Sequence, residues 1–137
     1  MGFKQVEVAP FVISPITPAA KDVRVKAFQI ARTDTASAVK CELPANSSIL
    51  NVSVRRSVTS DAQTASISVG VAGVTNNLIN GLSVLTAGLT FGTLDTQIAQ
   101  VEGNQPGSDV IITAVYTETG TTSTTGGPFM VMVQYVN

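Results

Sequence analysis

Short runs of alternating apolar and polar residues, separated by turn-forming clusters, constrain this chain more than any other feature. Leu50, Val52 and Val54 alternate with Asn51, Ser53 and Arg55; Ile67, Val69 and Val71 alternate with Ser66, Ser68 and Gly70. A pleated strand points successive side chains to opposite faces, so such runs bury one face of a sheet and wet the other. On this pattern strands are expected at 23–32, 38–43, 48–59, 64–72, 89–93, 96–101, 109–118 and 129–136. Val23 and Val25 are out of phase with Phe28 and Ile30, which predicts a bulge near Ala27.

Turn chemistry separates these runs at Pro44-Ala45-Asn46-Ser47, around Ser60-Asp61, and at 102–107. Residues 76–81 read as turn-rich, and the spacing of Leu78, Leu82 and Leu85 allows one or two helical turns. The Thr- and Gly-rich stretch 119–127 reads as an exposed connection that makes the last two strands hairpin partners. Strands recurring about every ten residues, without a sustained helical pattern, predict an all-β fold: an antiparallel two-sheet sandwich, jelly-roll-like. A parallel sheet needs crossover helices, for which the chain has no room. At 137 residues a single sandwich domain is expected.

Residues 1–20 differ. Pro10, Pro15 and Pro18 interrupt Phe3, Val6, Val8, Phe11, Val12, Ile13 and Ile16. Each proline fixes φ, removes a donor and pushes its predecessor into extended conformation. The division expected is an extended N-terminal arm at 1–20 and a β-sandwich at 21–137. Apolar side chains at this density need a groove on this subunit or a neighbour, so Phe3, Val6, Val8, Phe11, Ile13 and Ile16 are expected partner contacts.

Reactive side chains are scarce. The chain has no His, one Cys and 12% charged residues. Triad catalysis needs a base beside the nucleophile, and zinc prefers Cys and His ligands. The carboxylates are scattered, no EF-hand loop occurs, and a carbohydrate cleft would ordinarily offer the Trp that is missing. No enzyme activity, cofactor or metal is therefore expected. The formal net charge is -1, and Arg55, Arg56, Lys21, Arg24 and Lys26 form no duplex-sized basic footprint, which argues against nucleic acid. The apolar run from Val110 to Tyr116 is too short to cross a bilayer, so no membrane partner is expected. Met1-Gly2-Phe3-Lys4 lacks the features of a secretory signal, and Val6 stands where a myristoylation motif wants Ser or Thr. Synthesis in the cytoplasm without export is expected, and the acceptor-like Asn46-Ser47-Ser48 and Asn51-Val52-Ser53 are then chance matches. Cys41 is expected to pack as a small apolar residue. One of Arg55 and Arg56 must point outward, either protecting an exposed strand edge by charge or meeting an acidic partner.

Three segments carry a resemblance. They are Glu42-Leu43-Pro44-Ala45-Asn46-Ser47-Ser48-Ile49-Leu50-Asn51-Val52-Ser53-Val54, Ala65-Ser66-Ile67-Ser68-Val69-Gly70-Val71-Ala72-Gly73, and Pro128-Phe129-Met130-Val131-Met132-Val133-Gln134-Tyr135-Val136. In this order they resemble the β-sandwich decoration, or cement, proteins of tailed bacteriophage capsids. Val74-Thr75-Asn76-Asn77-Leu78 stands where relatives carry an acidic, aromatic-rich loop, so no role of that loop carries over. The resemblance implies a virion protein on the capsid outer surface, commonly a homotrimer, that bridges neighbouring major capsid protein subunits. The alternatives are another phage structural module (tail, baseplate or head-fibre) that binds a partner or host receptor, and a lectin-like surface-binding domain outside phage.

Overall fold

The alternating runs do form strands. A computed structural model describes residues 22–71, 76–92 and 109–137. Its strands are β1 (Arg24–Ile30), β2 (Ala38–Leu43), β3 (Ser48–Arg56), β4 (Thr64–Val71), β5 (Ile79–Ser83), β6 (Gly88–Phe91), β7 (Val110–Thr119) and β8 (Phe129–Val136). They make two antiparallel sheets, β1-β8-β3-β6 (sheet A) and β2-β7-β4-β5 (sheet B). The chain changes sheet at every step except β4 to β5. That alternation is the jelly-roll order, a sandwich rather than a run of hairpins.

Between the sheets lies a core of Val, Ile and Leu side chains with few aromatics. Val52, Val54, Val131 and Val133 of sheet A, and Ile67, Val69, Ile112 and Ala114 of sheet B, are fully buried. Tyr116 of β7 stacks on Phe129 of β8 with ring centroids 6.2 Å apart and planes 11° from parallel, joining the sheets. Burying a side chain of this kind contributes roughly 1.5–3 kcal/mol, so the sandwich is held mainly by this layer.

Several expectations need correction. The β1–β8 register is continuous from Arg24 to Ile30, so no bulge lies at Ala27. Phe28 and Ile30 face the core while Val25 is 54% exposed on the outer face of sheet A. The phase conflict in β1 thus records an outer face that is itself apolar. Register shifts occur instead between Val39 and Cys41, Ile49 and Asn51, and Ile67 and Val69. The second turns Leu50 outward, 49% exposed, and gives the inward place to Ile49, although simple alternation groups Leu50 with Val52 and Val54.

Residues 79–83 form a strand, β5, rather than a turn or helical turns. Ile79 and Leu82 pair with Val69 and Ile67, and Gly81 supplies a left-handed φ of 61° within the irregular pairing. The last two strands are not hairpin partners: β7 lies in sheet B and β8 pairs with β1 and β3 in sheet A. The expected strand at 96–101 lies outside the described residues.

Candidate interaction surface

The connection from Gly120 to Pro128 crosses from one sheet to the other, and it is fastened along its length. Asp61 Oδ1 accepts the backbone N–H groups of Thr124 at 2.8 Å and Thr125 at 2.9 Å, and Oδ2 accepts the Thr124 hydroxyl at 2.6 Å. Those three bonds, the Thr124 hydroxyl foremost, hold the Asp61 carboxyl down to about 2. Arg32 donates to the Ser123 carbonyl at 2.7 Å. Ser123 itself is buried. Inside, the Tyr116 hydroxyl donates to Glu118 Oε2 at 2.6 Å and lies 2.9 Å from Ser60 Oγ. Glu118 also accepts the Ser123 N–H, and the hydrogen bonds from Ser123 and Tyr116 lower its carboxyl below the usual range. This polar cluster closes one end of the core. The connection is exposed along most of its length, as its Thr/Gly composition predicts, yet buried Ser123 and these hydrogen bonds make it a structural clasp.

A second clasp forms at the start of the sandwich. Asp34 Oδ2 accepts Lys40 Nζ at 2.6 Å and the Ala31 N–H at 2.7 Å, with Lys40 at the β2 register shift. The ion-paired Lys40 is the main cause of the lowered Asp34 carboxyl.

Arg55 and Arg56 separate sharply. β3 is an internal strand between β8 and β6, so neither residue guards a sheet edge. Arg55 is exposed on the outer face of sheet A. Arg56 points inward and is buried; its Nη1 donates to the Ser83 carbonyl at 2.7 Å and its Nη2 to Thr90 Oγ1 at 2.6 Å. It ties β6 of sheet A to β5 of sheet B, a pin across the sandwich. Nothing in the alternation of types around it signals this, because an inward arginine breaks the pattern. Of the pair, Arg55 alone is exposed. Phe3, Val6, Val8, Phe11, Ile13 and Ile16 lie outside the described residues.

Cys41 is half-buried against the core, and burial pushes its thiol up. Among the described residues no group of three or more His, Cys, Asp or Glu is placed to hold a metal ion.

The two outer faces differ in chemistry. On sheet B, Ser66 and Ser68 of β4 sit beside Thr117 and Val115 of β7, and Val39 of β2, 57% exposed, stands beside Thr113, so hydroxyls mix with branched apolar side chains. On sheet A, Ala27, Met132, Ser53 and Phe91 stand in one row across all four strands. Gln29, Met130, Arg55 and Leu89 form the next. Phe91 is 58% and Leu89 53% exposed, both on the short edge strand β6. Arg55 is the one charge in these two rows. An apolar face of this breadth is the surface on which the molecule can be covered by another protein.

No family model matches the sequence, and no curated protein matches it. The fold does recur. A chain of the "Cyanophage Pam1 capsid asymmetric unit" superposes with a TM-score of 0.63 at 17% identity, covering 93% of this chain and 93% of that one. A chain of the "Acidic stable capsid structure of Helicobacter pylori bacteriophage KHP30" gives 0.57 at 16% identity, covering 85% and 87%. A chain of the "Capsid of Ralstonia phage GP4" gives 0.52 at 15% identity, covering 91% and 90%. The class is therefore a jelly-roll sandwich of a kind that occurs in phage capsid structures. The likeness runs the length of both partners in each comparison.

Proposed function

We propose that this chain is a virion structural protein that binds the outer face of an icosahedral phage capsid and bridges neighbouring major capsid protein subunits. The observation that carries the reading is the sandwich itself, matched almost end to end by chains of three phage capsid structures. The residue chemistry supports the same view. A chain without histidine, whose buried Tyr116, Ser60 and Ser123 are engaged in an internal clasp, is suited to holding a shape rather than to turnover. The protein catalyses nothing and needs no cofactor. It acts as a homotrimer, does not engage nucleic acid or a membrane, and reaches partners through Phe3, Val6, Val8, Phe11, Ile13 and Ile16 of the arm and through Arg55. Many modest contacts on a repeating lattice add through effective concentration, so no single contact has to be strong.

Cosedimentation of the purified chain with emptied, expanded capsid shells of its phage tests this. Saturable pelleting with the shells is expected, and a chain lacking residues 1–18 should stay folded and remain in the supernatant. A full-length chain that never pellets with shells contradicts the reading.

A further inference from the structure

We propose that the Asn80–Gly81 peptide of β5 is a self-modifying site, at which Asn80 of the folded protein turns into aspartate and isoaspartate through a cyclic imide. The chemistry needs a backbone nitrogen that can reach the side-chain amide of the residue before it. Asparagine is among the thermally labile residues, and a glycine after it presents a nitrogen with no Cβ to crowd the approach. Asn80 is the only asparagine in the chain followed by glycine.

The fold leaves this pair accessible. Both residues are exposed on β5, which among the described strands pairs only with β4 and so forms an edge of sheet B. Ile79 stands opposite Val69 and Leu82 opposite Ile67, so Asn80 and Gly81 together face Ser68 alone, as at a bulge. The Gly81 N–H donates to the Ser68 hydroxyl at 3.0 Å, a side-chain group that rotates. Gly81 holds a φ of 61°, and no atom lies within 4 Å of the place a Cβ would take, so the space beside it is open. On the other partner of the reaction, Asn80 Oδ1 accepts Asn76 Nδ2 at 3.3 Å, which polarises the amide carbon for attack.

The other described asparagines that precede a residue are held differently. The N–H after Asn46 belongs to buried Ser47 and donates to the Pro44 carbonyl at 3.2 Å. The N–H after Asn77 belongs to buried Leu78 and donates to the Val69 carbonyl at 3.0 Å. Asn51 and Asn76 are followed by Val52 and Asn77, both buried. At each of these the attacking nitrogen is enclosed, and at Gly81 it stands at the surface.

The Gly81 nitrogen, giving its proton to solvent, bonds to Asn80 Cγ; the Cγ–Nδ2 bond breaks, and Nδ2 takes up a solvent proton and leaves as ammonia. Water then adds to one of the two ring carbonyls. Cleavage of the new N–Cγ bond gives aspartate in ordinary linkage, and cleavage of the original peptide bond gives isoaspartate. Solvent water is the only co-reactant. Either product puts a carboxylate where an amide stood. Isoaspartate also lengthens the backbone just before Ser83, whose carbonyl accepts Arg56 Nη1.

The full chain, incubated folded in heavy-oxygen water at mildly alkaline pH and peptide-mapped by mass spectrometry, tests this independently of any capsid. Heavy-oxygen carboxylate at position 80, in both linkages, is expected at a rate within about tenfold of that in urea, while Asn46 and Asn77 keep their amides. An Asn80 that survives in the folded chain but converts in urea overturns the proposal, as does conversion of Asn46 or Asn77 at the rate of Asn80. Gly81→Ala, checked for folding by circular dichroism, should slow conversion at least about tenfold, because its Cβ crowds the nitrogen. An unchanged rate in that variant shows that the cyclic imide is not the route and overturns it too.

Discussion

Replacing Leu50 and Val52 separately by alanine sets the structure directly against simple alternation. Alternation places both side chains inside, and leucine, with one more carbon to lose, should then cost more. The register shift between Ile49 and Asn51 reverses this order, leaving Val52 fully buried and Leu50 49% exposed. At ~0.8 kcal/mol per buried CH₂, Val52→Ala forfeits about 1.6 kcal/mol of transfer energy, and the cavity left brings the total to about 2–3 kcal/mol. Leu50→Ala removes three carbons already half in water and leaves no cavity, so it should cost about 1 kcal/mol or less. Urea unfolding of each purified variant, followed by circular dichroism, reads the difference. With a slope of ~1–3 kcal/mol/M, Val52→Ala should unfold about 0.3–2 M earlier than Leu50→Ala at unchanged slope. A Leu50→Ala midpoint as low as that of Val52→Ala, or lower, would refute the outward turn at Leu50.

Other consequences follow from the clasps and the pin. Asp61, Glu118 and Asp34 all have lowered carboxyls, so the folded state binds fewer protons than the unfolded one as they titrate. Their stabilisation is complete above the ordinary carboxylate range and is lost as pH falls; for Asp61 the window runs from 3.8 down to about 2. Thermal unfolding should accordingly fall steeply across that window, and Asp61→Asn should flatten the fall; a variant with the parent's acid profile would contradict the clasp. Gly126 has a φ of 139°, and a Cβ there would lie 2.9 Å from Ser60 Cα. Gly126→Ala should therefore cost about 1–3 kcal/mol in urea unfolding, and a neutral result would show that the connection relaxes freely. Arg56→Ala strips two charge-assisted hydrogen bonds and opens a cavity, so a loss of at least ~2 kcal/mol is expected. Arg55→Ala should leave stability within about 0.5 kcal/mol while weakening pelleting with shells. The opposite pattern would reverse their assignments.

How much of this was readable in the residues depends on whether the deciding interaction is local. β2 and β8 occupy the spans that alternation marks, 38–43 and 129–136, with Phe129, Val131, Val133 and Tyr135 all turned inward. β5 was hidden: Asn80 and Gly81 look like a turn, and only pairing with Ile67 and Val69 makes the segment a strand. A Gly-rich connection suggests a β7–β8 hairpin, yet partner choice is set by the whole sandwich, and β8 finds β1 and β3 across more than seventy residues of chain. Single-residue register shifts leave no mark in composition. Neither does the inward turn of Arg56, whose partners are a backbone carbonyl and a threonine far off in sequence. The apolar outer face did leave a sign, in the misfit phase of Val25, which alternation alone reads as a bulge, and in Met130 and Met132 on the second face of the last strand.

A reconstruction of the intact virion by electron microscopy is the most direct measurement of what this polypeptide is for. A two-sheet sandwich is expected outside the shell at its threefold or quasi-threefold positions, touching more than one capsid subunit. A well-resolved outer shell lacking that density, or the chain found only in the tail, would contradict it.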